Sequence, residues 1–315
     1  MTTVTVIIAA KNASPYIRRA ITSALGDKYI KEIIVVDDGS SDNTSQIVEA
    51  MMAQNDIIRL IKNPKSLGPS AARNAAIKQS KCEYISILDA DDYFLENRFE
   101  KFFNCQDWDI IADNIIFFEA GRNVEIPQYD SSGVLTLNLA EFIDNNISKY
   151  GKNRKEWGFL KPVIRKQFLL DHNIKYDEAV KLGEDFDIYC RLLIANARFK
   201  ILKECGYAAE VRPNSLSASH NSAHLLGLLN VYKNLDGQIK DKDAAKVLKT
   251  ALYRRNKAYQ LAKFLEEKNE KGWGFALKSL AGNAVMFVDV IVTLILLKIP
   301  LFRHTGTSLH GQILI

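Results

Sequence analysis

Four apolar, β-branched runs alternate with segments of helical spacing in the first 90 residues. Few folds accommodate this alternation, because strands separated by helices pair in parallel within a sheet that is covered on both faces. The runs are too apolar to leave either face in water. They are Val4–Ala10, Ile30–Val36, Ile57–Ile61 and Tyr84–Leu88. We therefore predict an α/β fold with a doubly wound, mostly parallel sheet flanked by helices.

Acidic residues directly follow two of these runs. Asp37 and Asp38 follow the second run, and Asp89, Asp91 and Asp92 follow the fourth. The carboxyl ends of parallel strands meet at one sheet edge, where ligands bind. Crowded carboxylates repel one another, so a divalent cation carrying a diphosphate would stabilise them; Mg2+ and Mn2+ prefer such oxygen ligands. The alternative is a solvated loop in which Asp92 caps a helix.

The glycine-rich phosphate loops of two large nucleotide-binding classes are absent from the sequence. No G-x-G-x-x-G follows the first run, and no G-x-x-x-x-G-K-[ST] occurs anywhere. This weighs against a dinucleotide dehydrogenase and a P-loop NTPase. A carboxylate can hold a nucleoside instead, and Asp38 is the candidate acceptor for a uracil N–H or a ribose hydroxyl. The alternative is an Asx-turn that closes the loop at Gly39 and Ser40.

Composition indicates a globular protein, with 47% hydrophobic and 25% charged residues. The four cysteines form no C-x-x-C pair, which favours reduced thiols in the cytoplasm. No secretory signal is expected, because no basic segment precedes Val4–Ala10. Positive charge concentrates in Lys233–Lys278, with 12 Lys or Arg against 6 Asp or Glu. This placement favours contact with an anionic membrane surface, whereas no nucleic-acid-binding motif is present.

Four motifs in a fixed order carry a resemblance to a known family. They are Val6–Asn12, Ile34–Thr44, Leu67–Ile77 and Leu88–Asp92. Together they resemble the inverting GT-A glycosyltransferases of family two, especially the bacterial enzymes that build exopolysaccharide repeat units, succinoglycan-type glucosyltransferases included. The likeness continues more weakly through Gly183–Asp185 to about His220. It implies a GT-A fold, a UDP-sugar donor, a divalent metal ion (Mn2+ or Mg2+) and inversion at the anomeric carbon.

The resemblance also implies roles for residues of the first 95 positions. Asp91 is expected to bind the metal ion. The residues expected to contact the nucleotide are Ala9, Ala10, Asn12, Asp38, Arg73 and Asp89. Lys11 stands where the family often has Tyr, so ring stacking on uracil is not expected there. The alternative for Arg73 is an exposed helix arginine.

Glu184 and Asp185 begin a predicted helix. The structural alternative is that the two acids only stabilise the helix, because negative charge at a helix N-terminus interacts favourably with the helix dipole. An acceptor hydroxyl that attacks with inversion must lose its proton, and a placed carboxylate can take it. The resemblance implies Asp185 as this base, with Glu184 in contact with the acceptor or donor sugar.

His220 and Trp157 complete the candidate site residues. A distant histidine commonly completes the metal site in GT-A enzymes, and His220 follows a Ser-rich loop. Ser217 and Ser219 in that loop are candidates for phosphate binding, with Arg212 offsetting the charge. Trp157 is a candidate for stacking on an acceptor sugar. The alternatives are an exposed loop histidine and a packing tryptophan.

We predict a GT-A domain over residues 1–222 and a helical extension over residues 223–315. The apolar segment 284–302 has an uncharged core that is too short to span a membrane. An interfacial anchor and a helix packed against a partner both remain open.

The sequence therefore predicts a metal-dependent inverting hexosyltransferase. It would move a sugar, glucose by the resemblance, from a UDP-sugar to a saccharide or a lipid-diphosphate-linked oligosaccharide. The expected place is the inner face of the plasma membrane, with peripheral membrane contact, in bacterial exopolysaccharide biosynthesis. Two alternatives remain: a sugar nucleotidyltransferase, and a non-catalytic scaffold that binds UDP.

Overall fold

The computed structural model describes residues 2–122, 124–147, 156–212, 221–281, 284–297 and 311–315. The chain forms two compact units, Met1–Arg212 with Leu309–Ile315, and Pro213–Ser308. The first described helix of the second unit begins at Ser222. The assignment of separate functions to residues 1–222 and 223–315 stays a prediction.

The first unit is built on a nine-stranded sheet with helices on it. Its strands are β1 (Val4–Ala10), β2 (Ile30–Asp37), β3 (Ile58–Lys62), β4 (Tyr84–Ile87), β5 (Tyr93–Phe94), β6 (Ile110–Glu119), β7 (Val134–Leu137), β8 (Val163–Arg165) and β9 (Phe199–Val211). Its helices are α1 (Ile17–Ala24), α2 (Thr44–Met52), α3 (Pro69–Gln79), α4 (Arg98–Asn104), α5 (Leu139–Asn145), α6 (Lys166–Asp171) and α7 (Glu184–Ile194).

The strand order is β3-β2-β1-β4-β8-β6-β9-β5, with β7 paired to β9. Strands β1 to β4 are mutually parallel, as predicted, and β6 is parallel to β9. β8 is antiparallel to both of its neighbours, so the sheet is mixed. The predicted α/β class with a mostly parallel sheet flanked by helices is confirmed. The carboxyl ends of β1, β2 and β4 consequently share one edge.

The apolar runs form the core because both faces of the sheet are covered. Every residue of β1 except Ala9 is buried, and in β2 Lys31 alone is exposed. Helix α1 turns Ile17, Ala20, Ile21 and Ala24 toward this core. The continuous apolar run of β1 and the helical spacing of the apolar residues in α1 thus place apolar side chains at one interface.

The alternative in which Asp92 caps a helix is wrong, since β5 follows Asp92 directly. Helix α3 begins at Pro69, with Gly68 at the N-cap, because proline is preorganised for the first helical turn. Residues Leu135–Leu137 are extended, because β7 pairs with β9.

Residues at the end of the chain return to the sheet. Ile313 pairs with Ile116 of β6, and the Leu314 N–H donates to the Ile115 carbonyl at 3.0 Å. Asn114 Oδ1 accepts the N–H groups of Leu314 and Ile315 at 3.0 and 2.9 Å. These residues therefore belong to the sheet unit, although the helical unit precedes them in the chain.

The second unit is helical. Its described helices are α8 (Ser222–Asp236), α9 (Lys242–Lys271), α10 (Trp273–Leu280) and α11 (Ala284–Leu297). Phe264, Ala276, Leu280 and Val290 form a small core shared by α9, α10 and α11. Within the described residues, the helices are either too polar or too short to cross a membrane.

Candidate active site

The loops after β1 and β2 are joined by hydrogen bonds. The Asn12 N–H donates to Ser40 Oγ at 2.9 Å, and Asn12 Oδ1 accepts from the Ser41 N–H at 2.9 Å. The Asp38 N–H donates to the Ala10 carbonyl at 2.8 Å. Asn12 has φ 51°, a left-handed conformation that asparagine tolerates better than most residues. These two strand ends therefore form one fixed surface.

The Asp38 carboxylate accepts four hydrogen bonds from its own chain. Oδ1 accepts from Asn63 Nδ2 and the Leu67 N–H, each at 2.8 Å. Oδ2 accepts from Ser66 Oγ at 2.7 Å and the Gly68 N–H at 2.8 Å. Burial raises the pKa of Asp38, but these hydrogen bonds outweigh it and lower the pKa below its ordinary value. Asp38 thus fixes the loop before α3, and its contact with a nucleoside stays a prediction.

Asp37 closes the turn that follows β2. The Ser40 N–H donates to Asp37 Oδ1 at 2.9 Å, and Ser45 Oγ donates to Asp37 Oδ2. The turn-closing alternative therefore describes Asp37 rather than Asp38.

Two buried cations bridge Asp89 to the acidic start of α7. Arg73 Nη2 donates to Asp89 Oδ1 at 3.0 Å, and Nη1 lies 2.9 Å from Asp185 Oδ1 and 3.1 Å from Glu184 Oε1. Lys161 Nζ lies 2.9 Å from Asp89 Oδ2 and 2.7 Å from Asp185 Oδ2. The side chains of Arg73 and Lys161 are only 4% and 8% exposed. Arg73 is therefore no exposed helix arginine.

The pKa values of two acids in this cluster are shifted in opposite directions. Burial raises the pKa of Asp89, but Lys161 and Arg73 outweigh it and lower the pKa to about 2. The pKa of Glu184 is raised, first by burial and then by Asp185, against the effect of Arg73. Asp89 is therefore ionised at neutral pH, whereas Glu184 holds a proton more readily than an ordinary glutamate.

A second acidic group lies beside the first, because β9 runs antiparallel to β5. This pairing brings Glu210 and Arg212 next to the loop that follows β4. The Arg212 guanidinium pairs with Asp91. Arg19 Nη2 donates to the Asp91 carbonyl and to Glu210 Oε2, the latter at 2.7 Å. Asp91 thus lies between two arginines and a buried glutamate.

The loop after β4 carries more negative charge than these cations offset. Burial and then Asp89 raise the pKa of Asp91, although Arg212 opposes them. Asp92 accepts from the Tyr207 hydroxyl at 2.7 Å. Burial and then Asp91 raise the pKa of Asp92 well above its ordinary value. A further positive charge would be stabilised here.

Comparison with known proteins identifies the family. The family described as Glycosyl transferase family 2 matches residues 5–168. The succinoglycan biosynthesis protein ExoU of Rhizobium meliloti (strain 1021) is 37% identical over 311 residues, which are 97% of this chain and 91% of that protein. The chain belongs to glycosyl transferase family 2. It is a glycosyltransferase.

Two further likenesses agree with this family. The succinoglycan biosynthesis protein ExoO of Rhizobium meliloti (strain 1021) is 30% identical over 220 residues, 68% of this chain and 62% of that protein. The crystal structure of S. aureus TarS 1-349 in complex with UDP-GlcNAc has a TM-score of 0.65 at 22% identity, over 92% of this chain and 81% of that one. The same TarS fragment with UDP has a TM-score of 0.62. These structural likenesses confirm the GT-A fold.

The acidic edge of the glycosyltransferase fits a divalent ion that the donor also coordinates. Within the described ranges, no three His, Cys, Asp or Glu side chains converge to hold a metal ion. Glu210 Oε1 is nevertheless buried and accepts no hydrogen bond, and the pKa of Asp91 is raised. Mg2+ and Mn2+ commonly take one or two protein carboxylates and phosphate oxygens. The residues present therefore fit an ion that arrives with a diphosphate.

The remaining candidate residues lie in different environments. Ala10 is 2% exposed at the end of β1, and Ala9 before it is half-buried. Trp157 begins a short 3-10 helix, Trp157–Phe159, and is 5% exposed. This burial favours packing, and its sugar contact stays a prediction. His220, with Ser217 and Ser219, lies outside the described residues.

Sequence reasoning missed Lys161. The residue precedes β8, which pairs antiparallel with β4 so that Ser86 lies opposite Val163. The start of β8 therefore lies at the carboxyl end of β4, beside Asp89. A lysine before an apolar run was the visible signal, but the sequence does not show which strand that run joins.

Proposed function

We propose that the protein transfers a hexose, glucose, from a UDP-sugar to a saccharide acceptor with inversion, in the presence of Mn2+ or Mg2+. The observation that carries this proposal is the position of Lys161. Its ammonium lies 2.7 Å from Asp185 and 2.9 Å from Asp89. The predicted base and the predicted donor-binding loop are thus adjacent, as direct attack on a bound donor requires.

The proposed reaction is a single displacement. The acceptor oxygen attacks the anomeric carbon from the face opposite UDP, the bond from that carbon to the diphosphate oxygen breaks, and UDP leaves with the electron pair. Asp185 takes the proton of the acceptor hydroxyl. Glu184 contacts the acceptor or the donor sugar. Asp91, with His220 as a second proposed ligand, would hold a divalent ion, which would supply positive charge to the leaving diphosphate.

The donor nucleotide is proposed to lie along the edge formed by β1, β2 and β4. The likeness to TarS, which has been solved with UDP and with UDP-GlcNAc, supports a UDP-sugar. The backbone from Ala9 to Asn12 would surround the base, with Asp38, Arg73 and Asp89 holding the nucleotide. Trp157 would contact the acceptor.

The acceptor is proposed to be an oligosaccharide on a lipid diphosphate, in bacterial exopolysaccharide biosynthesis. The name of the ExoU relative supports the pathway. Exposed apolar side chains on α10 and α11 support peripheral membrane contact at the cytoplasmic face of the plasma membrane. They are Trp273, Phe275, Val288 and Val292.

Donor hydrolysis by the purified protein tests this proposal. UDP-glucose, UDP-galactose, UDP-N-acetylglucosamine and GDP-mannose are each incubated with Mn2+, Mg2+ or EDTA. We expect UDP release from UDP-glucose with a divalent ion, and its loss in EDTA and in Asp91→Ala. The matched control is Asp56→Ala, because Asp56 is an exposed aspartate.

Other outcomes favour the alternatives. Tight UDP binding with no transfer to any saccharide or lipid-linked acceptor would favour a non-catalytic scaffold. Pyrophosphate release from a nucleoside triphosphate and a sugar phosphate would favour a nucleotidyltransferase. Absence of both nucleotide binding and turnover would contradict the proposed UDP-sugar donor.

A further inference from the structure

Arg212 differs in its exposure from Arg73 and Lys161, the two buried cations of the acidic edge. It directly follows β9, and its guanidinium carbon lies 5.0 Å from the ring centroid of Tyr16. Its side chain is 37% exposed, against 4% for Arg73 and 8% for Lys161. Each buried cation is held by at least two carboxylates, whereas Arg212 pairs with Asp91. Because Arg212 is partly exposed and belongs to no buried network of ion pairs, it can exchange Asp91 for another partner.

Asp91 is the partner that Arg212 would have to give up. Its carboxylate is 19% exposed and lies near the negative charges of Asp89 and Glu210. A divalent ion offsets this charge better than one arginine does. While Arg212 occupies the carboxylate, however, a metal ion has to compete with it.

A diphosphate offers Arg212 an equivalent partner. The planar guanidinium fork matches phosphate oxygens with two parallel hydrogen bonds, a geometry that lysine does not reproduce. A donor carrying a divalent ion would thus bring a cation for Asp91 and an anion for Arg212. Neither side chain would be left with an unpaired charge.

We propose that Arg212 binds the diphosphate of the donor and thereby leaves Asp91 to the divalent ion. This inference rests on the proposed function, because it assumes a nucleoside diphosphate and a metal ion at this edge. The Tyr16 ring supports the guanidinium face during the exchange. In the donor-free protein Arg212 is the counter-ion of Asp91, and in the complex it is a diphosphate-binding residue.

Calorimetric titration with UDP and with uridine, both at Mn2+ concentrations that saturate the nucleotide-free wild-type protein and the variants, tests the first half of this exchange. In Arg212→Gln, UDP should bind about tenfold more weakly, the effect of losing one charged hydrogen-bond pair. Uridine, which lacks the diphosphate, should bind as in wild type. Arg212→Lys keeps the charge without the fork and should lie between the two. Arg18→Gln on the exposed face of α1 is the matched control.

Mn2+ binding without nucleotide, followed by electron paramagnetic resonance, tests the second half. Arg212→Gln should bind Mn2+ about tenfold more tightly than wild type, because Asp91 no longer has a competing cation. Unchanged or weaker Mn2+ binding would contradict the exchange. So would an unchanged UDP affinity, or an equal loss of uridine and UDP affinity.

The outcomes also separate this inference from the proposed function. A wild-type protein that binds neither UDP nor Mn2+ contradicts both. A wild-type protein that binds both, with Arg212→Gln indistinguishable from it, contradicts the role of Arg212 alone. Thermal unfolding of Arg212→Gln and Arg212→Lys checks that both variants fold.

Discussion

At the scale of single residues, the cations around each carboxylate distinguish the acids of the site. Asp89 and Asp185 are each held by both Arg73 and Lys161. Asp91 pairs with the half-exposed Arg212. The two buried cations fix the framework of the site, and the exposed one is available to a ligand.

Lys161 should contribute strongly to stability. Lys161→Gln leaves the buried Asp185 and the partly exposed Asp89 with Arg73 as their remaining cation. Removing one partner of a buried ion pair costs about 3 kcal/mol. Urea unfolding at pH 7 measures this loss. Lys175→Gln, at an exposed lysine, should change the free energy of unfolding by less than about 0.5 kcal/mol. Equal effects in the two variants would contradict the framework role of Lys161.

Asp38 should stabilise the fold in a pH-dependent way. Its pKa is lowered in the folded protein, so its contribution is present above the unfolded pKa of about 4 and is lost as pH falls toward the folded value. Asp38→Asn should lower the free energy of unfolding by about 1–3 kcal/mol at pH 7, because the four groups that donate to Asp38 lose an ionised acceptor. The difference from wild type should be smaller at pH 3.

Unfolding at the two pH values checks this prediction. Asp56→Asn, at an exposed aspartate, is the control and should show a small difference at both. A cost for Asp38→Asn that is the same at pH 7 and pH 3 would contradict an ionised acceptor.

How well each site residue could be predicted depends on whether its place in the fold is set by local sequence or by pairing with strands distant in the chain. Asp38 and Asp89 follow parallel strands, so the sequence indicated that they share an edge. Lys161 and Arg212 reach that edge through β8 and β9, whose pairing is set by long-range contacts that leave no local pattern. The sequence therefore predicted the acids of the site better than their counter-ions.

At the scale of elements, β8 and β9 extend the sheet beyond the four parallel strands β1 to β4. β8 lies between β4 and β6 and carries the chain past Asp89. β9 pairs with β5, β6 and β7 and ends at the acidic edge. The first four strands were predicted because their apolar runs are continuous. β9 was missed, because charged residues interrupt its apolar pattern.

Gly206 tests the packing of β9. A Cβ there would collide with Asp113 Oδ2 and lie 2.9 Å from Arg98 Cγ. These two side chains form a buried ion pair with Nε to Oδ2 at 2.8 Å. Gly206→Ala should therefore cost about 3 kcal/mol or more in unfolding free energy, because the pair must move.

Gly133→Ala is the control for this variant. Gly133 has φ +97°, and a Cβ added there would meet no atom within 4 Å, so alanine should cost only about 1 kcal/mol of backbone strain. A Gly206→Ala protein as stable as Gly133→Ala would show that the pair of Arg98 and Asp113 tolerates displacement.

At the scale of the whole molecule, the helical unit carries exposed apolar side chains close to basic ones. In this unit Trp273 is 57% exposed and Val288 is 58% exposed. Lys271 Nζ lies 4.6 Å from the Phe275 ring centroid. Exposed aromatic and basic side chains together are typical of interfacial helices.

Vesicle cosedimentation tests membrane contact. The protein should bind phosphatidylglycerol vesicles more than phosphatidylcholine vesicles, because lysines near the surface favour anionic lipids. Trp273→Ser with Phe275→Ser should reduce binding several-fold. Tyr253→Ser, at a 44% exposed tyrosine of α9, is the control. Binding that is unchanged in the double variant would contradict this surface.

The central claim is that the acids held by Arg73 and Lys161 form the catalytic centre. The most direct test is the transfer rate of Asp185→Asn beside Asp187→Asn, with UDP affinity measured for both. Both residues are buried acids in the first turn of α7, but Asp187 pairs with Arg191 instead. Asp185→Asn should lose about 10²-fold or more in rate and still bind UDP, as expected for a lost general base. Equal rates for the two variants would contradict the account.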